Sequence, residues 1–191
     1  MKKQVKTGLS ASYYTVPVTP NLVPSGSLVN PEEYMLECID ILEALRLTYS
    51  EANIVKALWR TASKRVLDVS KAGVTDLYDM EKVAFFCGSI CERSLATSGV
   101  SKFKEPLFTL VTIANPQCSE QPPYLTCLEE VTAAIRLTKA EALILSIIWE
   151  AAYARIEVGS VLYPYSVYTA SARQLLSMCS ASLLEGLKNG D

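Results

Sequence analysis

Lys56, Arg60 and Lys64 succeed one another at intervals of four residues, with Arg65 beside the last and Lys71 a little further on. In a helix that spacing stacks three cations into one stripe. A cationic stripe neutralises a run of phosphates on a nucleic-acid backbone without reading its sequence. These five residues are the candidate nucleic-acid contacts; the other reading is a solvated face, or a set of pairs with the acidic face of a neighbouring helix. The remaining charged groups offer less chemistry. Histidine is absent, which removes the commonest general acid and base. Neither a Gly-rich phosphate loop nor a G-x-S-x-G elbow occurs. Asp76 and Asp79 read as first-turn residues that favour a helix N-terminus. No catalytic or cofactor-binding residue is assigned, no cofactor is expected, and the chain is read as not an enzyme.

The cysteines point the same way. Cys38, Cys87, Cys91, Cys118, Cys127 and Cys179 include no C-x-x-C pair, and without histidine no zinc or other metal site is expected. Cys87 and Cys91 share one helix face by their spacing of four. Small buried hydrophobes are their plain reading.

The elements that must carry these residues announce themselves through a repeated phrase. "RLTYSEA" at 46–52 returns as "RLTKAEA" at 136–142, and nine of the twenty residues in 46–65 match 136–155. Unrelated segments would share roughly one or two, so the pattern indicates an internal duplication with an offset of about 90 residues. Thr48 with Glu51, and Thr138 with Glu141, are capping boxes that open a helix. Arg46 and Arg136 then fall in the last turn of the preceding helix, where a cation suits the dipole. Trp59 and Trp149 sit at one place in the two copies, each one turn before a small residue, Ala62 or Ala152, and read as packing residues.

Flanking helices complete each unit. Asn30 as cap, Pro31 at the first helical position and Glu33 predict a helix from residue 31, with Met35, Cys38, Ile39, Leu42 and Leu45 inward and Glu37, Asp40 and Glu43 outward. Leu125, Leu128, Val131 and Ile135 form the matching stripe. Third helices are expected over Asp76–Thr97 and Ser166–Leu187, with Val83, Cys87 and Ile90 resembling Leu175, Cys179 and Leu183 at a register slip of about two. The cationic stripe has no equivalent in the second copy, where Ser146, Glu150 and Ala154 stand at its three positions. One tryptophan helix should therefore show a basic outer face while the other is buried nearly all round.

Two stretches resist a helical reading. Residues 10–29 carry three prolines, each removing a backbone donor and holding its neighbour extended. Residues 106–116 are rich in β-branched and aromatic side chains between prolines, which suits a short strand.

The expected fold is mostly α: two tandem pseudo-symmetric three-helix units with an extended N-terminal arm and a short extended linker. The boundaries are 1–29 for the arm, 30–97 for unit one, 98–119 for the linker and 120–191 for unit two. Tyr13, Tyr14, Val16, Val18, Leu22 and Val23 give the arm apolar contacts for docking, on its own core or by exchange between copies. A formal charge of −2 over 191 residues exerts no global pull on polyanions, so non-specific nucleic-acid binding has to come from the local stripe. The first residues lack the apolar run of a signal peptide, and no stretch is long enough to span a membrane. An intracellular protein at synthesis is expected, with a virion as its assembled form.

Arm exchange is a recurrent device of coat subunits, and with the basic helix it leads to the functional expectation. That expectation is a structural self-assembling protein, most concretely a viral coat or nucleocapsid subunit and homo-oligomer, holding nucleic-acid backbone through the basic helix. The alternative is a cytosolic helical adaptor with a partner protein in the groove between its units.

Overall fold

A computed structural model of the chain describes residues 14–17, 35–69, 71–97, 127–158 and 164–189. These residues are mostly helical. Two short strands, β1 (Thr15–Pro17) and β2 (Met35–Glu37), are followed by α1 (Cys38–Ala44), α2 (Tyr49–Leu67), α3 (Asp76–Thr97), α4 (Cys127–Ala134), α5 (Lys139–Val158) and α6 (Ala170–Asn189).

The joint between α1 and α2 shows what the repeated phrase does. Arg46 takes the left-handed conformation at φ 48°, and Arg136 matches it at φ 50°. The amide of Leu47 donates to Leu42 O at 3.1 Å and that of Arg46 to Glu43 O at 3.1 Å, which is the paired 6→1 and 5→2 closure that ends a helix. Leu137 closes onto Thr132 O in the same way at 3.1 Å. Arg46 therefore lies beyond the last turn and makes the bend, a position more often held by glycine. Thr48 and Thr138 then cap the next helices. Their amides donate to Glu51 Oε2 and Glu141 Oε2, both at 2.8 Å, while their hydroxyls accept from the Glu51 and Glu141 amides at 3.5 and 3.4 Å. Because the amide-to-hydroxyl halves are long, Thr48→Ala and Thr138→Ala should each cost about 0.5–1 kcal/mol, the lower part of the range for lost caps. Urea denaturation followed by circular dichroism reads this directly, and both variants should give the same value.

The first helix starts later than the sequence predicts. Met35 lies in β2, and α1 opens at Cys38, where the Glu37 amide donates to Asp40 Oδ2 at 2.9 Å. The inward set is Cys38, Ile41, Leu42 and Leu45, whereas Ile39 is exposed. Those four fall at i, i+3, i+4 and i+7, one face of a helix; Ile39 belongs to the opposite side. β2 pairs antiparallel with β1, Val16 facing Leu36. The proposed cap at Asn30 to Glu33, the arm residues Tyr13, Val18, Leu22 and Val23, Leu125 and the linker 98–119 lie outside the described residues.

α6 also starts late, at Ala170. Residues 164–167 form turns, and Thr169 caps the helix by accepting from the Ala172 amide at 3.1 Å. The buried faces of the third helices match Val83 with Leu176 and Cys87 with Ser180. Their register is thus shifted by three relative to the middle helices rather than two, because the connection before α6 is longer.

The four long helices contact one another in the cyclic order α2, α3, α6, α5, with α1 packed on α2 and α4 on α5. A single core runs through them, including Ile54, Leu58, Trp59, Val83, Ile90, Ile144, Ile148, Trp149 and Leu176. Both tryptophans are 1% exposed, and neither indole N–H has a partner among the described residues. Their contribution is packed volume, as expected for large rings beside Ala62 and Ala152.

Candidate functional site

The positions of the five candidate cations divide them. Arg60 does not reach an outer face: it is 8% exposed, its Nε donates to Asp79 Oδ2 at 3.0 Å, and its second guanidinium nitrogen bonds Asp79 Oδ1. A third donor reaches the Tyr14 hydroxyl at 2.7 Å, with the guanidinium 5.9 Å from that ring. Asp79 lies in the first turn of α3, as expected, and is in addition buried against Arg60. Lys64 pairs with Asp76 at 2.6 Å on the surface. Arg65 crosses to α5. Lys56 is half-buried and Lys71 is exposed. The contrast expected between the two tryptophan helices is reduced accordingly, because α2 is buried on nearly every side from Ser50 to Ser63.

Arg65 leads to an arrangement that the cationic stripe concealed. Its guanidinium donates to both oxygens of Glu141, at 3.1 and 2.6 Å, and to Arg136 O at 3.2 Å. At the other end of the same helix pair, Arg155 donates to both oxygens of Glu51 at 2.6 Å and to Pro164 O at 3.3 Å. Glu51 opens α2 and Arg155 lies toward the end of α5, while Glu141 opens α5 and Arg65 lies toward the end of α2. The two helices therefore run antiparallel and exchange the same ion pair at both ends. Each glutamate also accepts from the capping threonine's amide, so one carboxylate closes the local cap and the long-range contact together.

The two nodes differ in enclosure. Around Glu51 the Tyr168 hydroxyl adds a hydrogen bond at 2.5 Å, the Arg155 side chain is 7% exposed and Glu51 is fully buried. Around Glu141, the Arg65 side chain is 35% exposed. Burial lowers the Arg155 pKa, but the charge and hydrogen bonds of Glu51, with Tyr168 beside it, raise it by more, and the net direction is upward. The Arg155 guanidinium remains cationic at any ordinary pH.

Sequence reading missed these nodes, yet a signal was present. Within the twenty repeated residues the charges of the stripe diverge, Lys56 to Ser146, Arg60 to Glu150 and Lys64 to Ala154, while Glu51/Glu141 and Arg65/Arg155 are identical. A glutamate near the start and an arginine near the end of both repeats are the set that two antiparallel helices can exchange.

The chain matches no protein-family model, no curated protein and no solved structure. Function has to be argued from surfaces and contacts. Among the described residues no three histidine, cysteine, aspartate or glutamate side chains are grouped to hold a metal, and no helix is long and apolar enough to cross a membrane.

Two other features lie on the bundle. Cys38 and Cys87 are buried, and that burial pushes both thiols up to about 12 from a starting value of 9.0. Tyr168 is likewise pushed well above its ordinary value, by burial first and then by Glu51. For an acid raised in the fold, stability is complete below the unfolded value and falls as pH rises toward the folded one. The urea midpoint should decline steadily above about pH 9, and Cys38→Ala with Cys87→Ala should flatten part of that decline. Equal slopes for wild type and the double variant would show that the fold does not hold these thiols above their unfolded value.

The second feature is apolar surface. Tyr49, Tyr78, Phe85 and Leu95 are exposed. Tyr49 meets Phe86 edge-on at 5.8 Å between ring centres, and Phe86 meets Phe85 at 5.1 Å. Large aromatic groups grouped on a surface mark contact with another macromolecule more often than a scatter of single residues does.

Proposed function

We propose that the chain is a structural, self-assembling subunit, most concretely of a coat or nucleocapsid, built as two tandem pseudo-symmetric helical units that arose by duplication. The observation that carries this reading is the reciprocity of the two nodes. Glu51 of the first unit holds Arg155 of the second, and Glu141 of the second holds Arg65 of the first. A contact in which i meets j and j meets i is the form taken by two copies of one module related by a twofold. The halves of this chain thus carry the imprint of self-association. The aromatic surface of Tyr49, Phe85 and Phe86 extends the argument outward, since it remains uncovered after the bundle has completed its own core.

The arm supplies a second assembly contact in this proposal. Exchange of β1 between copies would keep its pairing with β2 and the bond from Arg60 to Tyr14 unchanged, which is why swapping an identical element costs little. Contact with nucleic-acid backbone rests on Lys56 and Lys71, and on Lys64 once its surface pair with Asp76 opens, because Arg60 and Arg65 are held by buried carboxylates. The assembled form in this reading is a virion, with synthesis inside the cell.

Size-exclusion chromatography with light scattering, read at 260 and 280 nm, tests the proposal. Particles larger than a dimer support it, and an elevated 260 nm signal lost on changing Lys56, Lys64 and Lys71 to alanine supports the nucleic-acid contact. A monomer free of nucleic acid overturns it in favour of an adaptor for a partner protein.

A further inference from the structure

The outer face of α3 has an order that its own chain does not use. On a helix of about 3.6 residues per turn, Phe85 stands on the side opposite the buried Val83, Cys87 and Ser94, at 70% exposure. Tyr78, seven residues earlier, lies on the same line. Glu81 and Glu92 fall on one flank of that line, and Lys82 and Arg93 on the other. Lys82 sits over the Tyr78 ring at 5.6 Å, and Arg93 donates to the Tyr165 hydroxyl at 3.1 Å; neither has a carboxylate partner among the described residues. Gly88 sits on the acidic flank with no atom within 4 Å of where its side chain would begin, so the surface there is low beside the projecting Phe85.

We propose that this stripe is the contact between two copies of the chain, with the two α3 helices side by side and running in the same direction. The inference rests on the self-assembling reading above and names the surface it uses. Charge decides both occupant and direction. In a parallel pair related by a twofold along the helices, each acidic flank faces the basic flank of the other copy. Glu81 then meets Lys82 of the second copy and Glu92 meets Arg93 of the second copy, with Phe85 packed beside Phe85 at the centre. An antiparallel pair would set Glu81 against Glu92 and Lys82 against Arg93, four like-charge contacts that oppose association. The aromatic centre provides affinity and the charged flanks fix register.

Sedimentation of the full chain across a concentration series, with circular dichroism as a check on folding, tests this. Phe85→Asp should weaken association by roughly tenfold or more, as loss of a central aromatic contact does. Glu81→Lys should weaken it by about three- to tenfold, and Glu81→Lys combined with Lys82→Glu should restore it, because the exchanged flanks again face opposite charge. All positions are on the surface, so the variants should fold. An assembling wild type with an unaffected Phe85→Asp variant overturns the α3 contact while leaving self-assembly standing. Tighter association of Glu81→Lys also overturns it, since only the antiparallel pair would gain. A monomeric wild type overturns both readings.

Discussion

Glu51→Ala should lose about 3–5 kcal/mol of folding stability, the cost of stranding a buried charge by removing its partner. Among the described residues Arg155 would keep one other acceptor, Pro164 O, and Tyr168 would lose the carboxylate that its hydroxyl binds. The Thr48 amide would lose its acceptor as well. Glu141→Ala removes the same residue type from the same place in the second node, yet should cost less, about 1–3 kcal/mol. The Arg65 side chain is 35% exposed and can rehydrate when the carboxylate goes, which is what separates a surface pair from a buried one. Urea denaturation of both variants measures the difference. Equal losses would mean that the shared capping half of each node dominates and that the closure by Tyr168 adds nothing.

The comparison also shows an asymmetry within the α2–α5 pair. A node that is sealed at one end and open at the other makes the two ends of the α2–α5 pair unequal, although their sequences match at both charged positions. Tyr165 and Tyr168 cause the difference. They lie in the connection between α5 and α6, which is longer than its counterpart between α2 and α3 and brings two aromatic rings against the start of α2, where the Tyr165 hydroxyl contacts Ser50 Oγ at 3.4 Å. One end of the α2–α5 pair is thereby fixed more firmly than the other.

How far the sequence discloses this depends on the distance over which each feature is decided. The helix starts at Thr48 and Thr138 are local, since threonine and glutamate three residues apart satisfy each other without help, and they could be read directly. The mostly helical class follows from the same periodicity. The bend at Arg46 and Arg136 was misplaced because arginine in a left-handed conformation imitates arginine in a last helical turn; only the backbone angle separates them. The start of α1 was misplaced because Asn30, Pro31 and Glu33 satisfy the rules for a helix start, while pairing of Met35–Glu37 with Thr15–Pro17 spans some twenty residues of sequence. The nodes are decided at still longer range, with 104 residues between Glu51 and Arg155, and only the matching identity within the duplication gave them away.

The cationic stripe teaches the complementary lesson and yields the second large effect. Arg60→Ala should cost about 3–5 kcal/mol, whereas Lys64→Ala, one turn further on, should cost no more than about 1 kcal/mol. Helical spacing treats the two as neighbours on one face. Their surroundings are not alike: Lys64 holds Asp76 with side chains 48% and 33% exposed, while Arg60 and Asp79 are 8% and 4% exposed. Burial works against the Arg60 charge, and the Asp79 carboxylate with the Tyr14 hydroxyl more than offsets it, so its pKa moves upward. Asp79→Ala should be as damaging as Arg60→Ala, and the two together should cost clearly less than their sum, because each single change already strands the other partner. Replacing the pair by Arg60→Met with Asp79→Leu should recover most of the loss, since well-packed apolar residues often substitute for a buried ion pair without penalty. Additive losses in the double-alanine variant would mean that Arg60 acts chiefly through Tyr14. In that case the guanidinium would serve first as the anchor of β1, and its removal would release the arm contact while leaving α2 and α3 together.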